Sequence, residues 1–242
     1  ITITAPSSAC QNSSVSFAGT NTGSSAITSW AWDFGDGNTA NTQNASHTYT
    51  QSGNYNITLT ATNSFGCIST TTTSIVIHPT PVLPVITGPQ EFCIGPAQTY
   101  SFSQPVSTGV ATYVWSIDPP GAGSIVVNSA NSITVTWTGG VSPVSANVVL
   151  NVTSTCLTIQ IEYPVTINPL PQITIISPET ACQGILVNFD GNITGSSAGV
   201  TWAWDLGDGN TANTQNTSHT YTESGNYNIT LTATNSFGCI RT

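Results

Sequence analysis

The sequence predicts an all-β chain of tandem β-sandwiches arranged in series as an extended array, and three observations carry that expectation. Apolar and polar residues alternate at a period of two, Gly, Pro and Asn turns punctuate the chain at short intervals, and one long aromatic segment occurs twice. No run of the 242 residues shows helical periodicity.

The repeated string is WAWDFGDGNTANTQNASHTYTQSGNYNITLTATNSFGC, residues 30–67, which returns nearly unchanged over residues 202–239. Adding 172 to a landmark of the first copy reaches the second, so Cys10 becomes Cys182, Trp32 becomes Trp204 and Tyr55 becomes Tyr227. In WAWDF, Trp30, Trp32 and Phe34 share one strand face, and Gly35-Asp36-Gly37-Asn38 supplies a hairpin turn. In YNITLTAT, Tyr55, Ile57, Leu59 and Ala61 face a core while Asn56, Thr58, Thr60 and Thr62 face water. Residues 71–77, TTTSIVI, read as the last strand of the first domain, and Pro-rich HPTPVLP (78–84) follows as a short, stiff joint. The dissimilar middle domain offers strands at 99–102, 112–117, 132–137, 147–152 and 157–163, and NPLP (168–171) closes it before the cycle restarts at Ile173. The predicted domains are 1–79, 80–170 and 171–242. The second copy has no counterpart of 71–77, which reads as a window cut from a longer array. A less favoured reading is that another subunit donates the strand and builds strand-exchanged polymers.

Domains of about 80 residues with short strands and a central Trp suit a sandwich of immunoglobulin type. Tyr55 follows the Gly53-Asn54 turn, where its hydroxyl can tie back to the preceding loop.

Composition narrows the function. Charged residues are 5% of the chain and the net charge is -9, with Arg241 the single basic residue, so neither a nucleic-acid footprint nor a polybasic membrane anchor fits. No stretch reaches the roughly 20 apolar residues of a membrane span. The N-terminal residues lack the features of a signal peptide, and a targeting signal is expected outside this window. Without Lys, Lys-Asn isopeptide crosslinks are excluded, leaving disulfides as covalent reinforcement. The six cysteines lack metal-site spacing. Cys10 and Cys67, Cys93 and Cys156, and Cys182 and Cys239 stand 57, 63 and 57 residues apart, which reads as one structural disulfide per domain in an oxidising compartment, free structural thiols being the alternative. A 57-residue loop would gain roughly 4 kcal/mol from closure.

The residues WDFGDG (32–37), HTY (47–49), GNYNITLTATN (53–63) and the following Gly-Cys resemble the PKD (polycystic kidney disease) domain over residues 1–77 and again over 173–242, with Leu206 in place of Phe34. The fold-motif residues are Trp32, Asp33, Gly35, Asp36, Gly37, His47, Tyr49 and Tyr55, and in the second copy Trp204, Asp205, Gly207, Asp208, Gly209, His219, Tyr221 and Tyr227. The middle domain is similar, more weakly, to PKD-like modules that accompany them in secreted bacterial proteins. The resemblance implies a spacer or interaction module of extracellular proteins, as in the SprB-type repetitive adhesins of gliding bacteria exported by type IX secretion. It also extends to secreted chitinases, collagenases and proteases that carry such domains.

Asp33 with Asp36, and Asp205 with Asp208, raise the question of catalysis or Ca²⁺, but no Glu completes an EF-hand loop and no nucleophile motif accompanies them. They read as turn carboxylates accepting backbone hydrogen bonds, with a weak cation site at the turns left open. His47 and His219 read as hydrogen-bonded sandwich histidines rather than general bases, and the Trp residues as core rather than a sugar-stacking platform. The expected function is therefore non-enzymatic and without cofactor: a stalk or filament segment of a secreted, cell-surface adhesin. Its expected partners are neighbouring domains of the same chain and an extracellular polysaccharide or surface. The alternative is a polymer-binding module of a secreted polysaccharide- or protein-degrading enzyme.

Overall fold

The computed structural model describes residues 1–103, 111–194 and 199–242, and these are almost wholly β, with one 3-10 turn at Pro120–Ala122. The strands between Thr2 and His78, between Ile86 and Asn168, and between Gln172 and Arg241 each form two sheets.

In the first, the strands are β1 (Thr2–Thr4), β2 (Ser8–Cys10), β3 (Ser14–Thr20), β4 (Ile27–Asp33), β5 (Thr39–Ala40), β6 (Asn44–Thr48), β7 (Gly53–Asn63) and β8 (Ile68–His78). They form sheets ordered β1-β3-β6 and β2-β8-β7-β4-β5. Alternation sends Val15, Phe17, Trp32, Ile57, Leu59, Ile75 and Ile77 inward from both sheets into one cluster with Phe34 and Tyr49. Trp32 is buried, yet its indole N–H donates to the Thr42 carbonyl at 2.8 Å, so its one polar atom is satisfied. The Tyr55 hydroxyl donates to the Gln51 carbonyl at 3.0 Å, tying the strand to the loop before it.

The middle stretch comprises β9 (Ile86–Thr87), β10 (Glu91–Cys93), β11 (Gln98–Phe102), β12 (Ala111–Asp118), β13 (Gly123–Ser129), β14 (Ser132–Trp137), β15 (Val144–Ser154) and β16 (Thr158–Asn168). Its sheets run β13-β14-β11-β9 and β10-β16-β15-β12, joined by ring contacts such as Phe92 to Trp137 and Tyr100 to Tyr163. The last stretch comprises β17 (Gln172–Ile176), β18 (Leu186–Thr194), β19 (Thr201–Asp205), β20 (Thr211–Ala212), β21 (Asn216–Thr220), β22 (Thr230–Thr234) and β23 (Ile240–Arg241). It repeats the first arrangement, without a counterpart of β2 among the described residues, around Val187, Phe189, Trp204, Leu206 and Leu231. Strand β7 pairs with β8 in ten residue pairs, from Gly53–Ile77 to Thr62–Ile68, whereas β22, which pairs with β19 on one side, meets on the other only Arg241 and Ile240, opposite Ala233 and Thr234.

By contact the chain forms two compact units. One holds residues 1–84 with 111–114 and 151–160; the other holds 85–103, 115–150 and 161–242.

The cysteines do not pair within their own repeats, contrary to the expectation drawn from their spacing. The bonds are Cys10 to Cys156 in the first unit and Cys93 to Cys239 in the second, while Cys67 and Cys182 are free and exposed. The physical reason is the direction of β2. It runs parallel to β8 and sets Cys10 beside His78, whereas Cys67 precedes Ile68 at the other end of the same strand. Eleven residues at roughly 3.3 Å each separate the two cysteines by about 35 Å, far beyond the ~7 Å that a disulfide spans between Cα atoms. In the middle stretch β10 runs parallel to β16 in the same way, with Cys93 beside Asn168 and Cys156 just before Thr158.

Candidate functional site

Two features recur and could carry function: the Asp-Gly turns and the cysteine joints. At the first turn Asp33 Oδ1 accepts the Gly35 N–H at 2.8 Å and Asp36 Oδ1 accepts the Asn38 N–H at 3.1 Å. Asp36 Oδ2 accepts from Asn38 Nδ2 at 3.1 Å and from His47 Nε2 at 2.7 Å. An ionised carboxylate only accepts, so Nε2 carries the imidazole proton. Gly35 is needed here: its φ is +79°, and a Cβ would fall 2.5 Å from the Asn56 carbonyl oxygen. Gly37, at φ +90°, turns in open space.

The rings behind the turn stack in sequence. His47 lies parallel to Phe34 at 4.4 Å, Tyr49 meets His47 edge-on at 4.6 Å, and Tyr55 packs on Tyr49 at 4.3 Å. The buried Tyr49 hydroxyl donates to the Phe34 carbonyl at 3.0 Å, closing the turn from behind. Burial would raise the Asp36 pKa, but hydrogen bonds from His47 and Asn38 together hold it below the ordinary 3.8. Burial, helped by the nearby Asp36 charge, pushes Tyr49 up to about 12. The second copy is built alike: Asp205 accepts from Gly207, Asp208 from Asn210 and His219, Gly207 and Gly209 have positive φ, and Tyr221 donates to Leu206 and stacks on Tyr227. Asp208 is likewise lowered, chiefly by its His219 hydrogen bond. Both Asp36 oxygens are thus engaged by protein donors, the geometry of a structural clamp. A cation would have to displace those donors.

The Trp side chains serve packing. Trp32, Trp137 and Trp204 are buried, and Trp30 and Trp202 pack against their clusters.

At each joint a hairpin tip presents its cysteine to the end of another strand. In the first unit Ser154 Oγ accepts the N–H groups of Cys156 and Leu157, fixing the tip, and Cys156 Sγ lies 3.8 Å from the His78 carbonyl oxygen. In the second unit Asn235 Oδ1 accepts from Phe237 and Cys239, while its Nδ2 donates to the Pro169 carbonyl at 2.8 Å. Cys239 Sγ lies 3.9 Å from the Asn168 carbonyl oxygen. The bonded Cα atoms are 5.6 and 5.5 Å apart. Ser154, Asn235 and its copy Asn63 escaped the sequence reading, although a Ser or Asn two to four residues before each tip cysteine was visible.

Comparison with known proteins decides the family. The PKD domain family matches residues 1–77 and 168–242. The chain belongs to the PKD domain family. PKD domains are modules of larger chains, generally non-catalytic and typical of extracellular proteins, and the disulfides fit that location. The PKD chain is 29% identical over 120 residues to collagenase ColA of Clostridium perfringens, a match covering 46% of this chain and 11% of the collagenase. Among solved structures, the ICAM-5 D1–D4 ectodomain fragment is similar with a TM-score of 0.53 at 14% identity, over 99% of this chain and 74% of that one. At that identity the likeness supports tandem immunoglobulin-like domains and nothing finer. No helix among the described residues is long and apolar enough to cross a membrane.

Proposed function

We propose that this chain is a structural segment of the stalk or filament of a large secreted bacterial cell-surface adhesin, serving gliding motility or surface attachment and exported by type IX secretion. Its units are the domains 1–79, 80–170 and 171–242. Its partners are the neighbouring domains of a longer chain and, at the cell's exterior, a polysaccharide or solid surface. The observation that supports this reading most is the cysteine pairing. Each bond ties the start of one repeat to the last hairpin of another, so that a pull on the chain meets covalent links between repeats rather than Pro-rich joints alone. The near absence of charge suits a spacer that must not adhere along its length.

Small-angle scattering on chains of increasing repeat number tests the proposal. A maximum dimension growing in proportion to domain number supports a stalk; a compact particle of nearly constant dimension opposes it.

The collagenase match favours a second reading, a non-catalytic polymer-binding module of a secreted enzyme. Retention of the purified chain on insoluble collagen or polysaccharide, competed by the soluble polymer, would support that reading over the stalk.

A further inference from the structure

An edge strand ends the hydrogen-bond ladder of its sheet, and most edges of this chain are short. Among the described residues they run two to five residues, apart from β12 with eight and β13 with seven. Strand β12 closes on Asp118, a charge that opposes pairing with a like strand. Strand β13 has no such protection. Its sequence is Gly-Ser-Ile-Val-Val-Asn-Ser, without charge or Pro, and no residue from Pro119 to Ile161 is charged although the chain's net charge is -9.

Strand β13 pairs with β14 on one side only, so alternate backbone N–H and C=O groups from Gly123 to Ser129 face away from the sheet. Its side chains add apolar surface at that edge, with Val126 62% and Val127 63% exposed. The strand lies wholly within the second compact unit. The one irregularity in its pairing falls between Val127 and Ser129, past both valines, so Ile125, Val126 and Val127 run in regular register.

The order of residues fits this edge to its own copy. Turned end for end about Val126, the strand sets Val126 opposite Val126, Ile125 opposite Val127, Ser124 opposite Asn128 and Gly123 opposite Ser129. Directly opposed residues of an antiparallel pair share a face, so β-branched residues meet at the centre and small or polar ones at the ends. A slip of one residue would set Ile125 opposite Val126 and turn the inner face of one sheet outward. We propose that β13 is a self-association edge, at which two copies of this chain pair β13 with β13, antiparallel about Val126, and join two four-stranded sheets into one of eight. Each copy uses the same edge, so the contact is isologous and closes at two copies. A single strand pair holds two chains weakly and reversibly, and more firmly where one chain presents several such edges to the same neighbour.

The test uses the folded 242-residue chain with both disulfides intact and its exposed thiols alkylated. Sedimentation at rising concentration should show a monomer–dimer equilibrium, and hydrogen exchange should slow about tenfold at the edge-facing amides of β13 as dimer forms. Val126→Lys and Val126→Glu each place like charges face to face at the two-fold axis, so either chain alone should stay monomeric. Because Val126 is exposed, the thermal midpoint of both should match that of the parent. Mixed in equal amounts, the two variants should associate again, at least as tightly as the parent chain. A parent chain that stays monomeric up to its highest soluble concentration would overturn the proposal. Dimers that persist in Val126→Lys, protection at another strand instead of β13, or a mixture that stays monomeric would do the same. The proposal rests on β13 and not on the adhesin reading, and its failure would leave the scattering result on longer chains untouched.

Discussion

Tyr49 and Asp36 hold the turn of the first repeat from opposite sides, and both can be probed singly. Tyr49→Phe removes the hydroxyl from the Phe34 carbonyl and should cost about 1–2 kcal/mol, read as a shift in the urea midpoint at unchanged slope. Gly35→Ala should cost more than Gly37→Ala. Both require positive φ, which alone costs about 1 kcal/mol, but only at Gly35 does a Cβ also meet backbone. The titrating groups set the pH limits. Asp36 and Asp208 have folded pKa values below 3.8, so their contribution is complete above that value and is lost as pH falls through the lower folded pKa. Tyr49 and Tyr100 ionise at about 12 when folded against 10.0 when unfolded, so the folded chain binds more protons between those values and stability falls as pH rises from 10 to 12. Denaturant titrations from pH 2 to 12 should show both limbs, with Asp36→Asn and Asp208→Asn together flattening the acid one. An acid limb of unchanged slope in that pair would contradict the clamp.

At the scale of strands, legibility followed periodicity. Strand β7 reads directly from YNITLTAT because its inward residues Ile57, Leu59 and Ala61 are all buried. Strand β13 was invisible because Val126 and Val127 are adjacent and both more than 60% exposed at a sheet edge, which erases the period of two. The turn chemistry of Asp33 and Asp36 was readable from residue type and spacing alone. The cysteine partners were not. Equal spacings of 57, 63 and 57 suggested bonds inside each repeat, but the short parallel strands β2 and β10 place Cys10 and Cys93 at the far ends of β8 and β16, and a parallel edge of three residues leaves no sequence period to find. Accordingly Cys67→Ser should change stability by less than about 0.5 kcal/mol, as for a free surface residue, whereas Cys10→Ser should cost up to about 5 kcal/mol by loop-closure entropy over 146 residues. Thermal denaturation of the two variants side by side separates these outcomes.

For the molecule as a whole, the two crossed disulfides redefine the covalent route between the ends. The shortest path runs from Ile1 to Cys10, across to Cys156, back along the chain to Cys93, across to Cys239 and on to Thr242. That route contains about 78 residues, so even complete unfolding can extend the oxidised chain to roughly 280 Å, against about 870 Å once the bonds are reduced. Pairing inside each repeat would shorten the route differently, skipping residues 11–66, 94–155 and 183–238 and leaving only about 70 residues in three separate steps. Single-molecule pulling from the two termini, combined with disulfide mapping of the same sample, tests this most directly. The expected result is Cys10–Cys156 and Cys93–Cys239 peptides in the map, two free thiols per chain, and an added extension of roughly 590 Å on reduction. A map of Cys10–Cys67, Cys93–Cys156 and Cys182–Cys239 with no free thiol would contradict the joint between repeats on which the account of a covalently reinforced stalk depends.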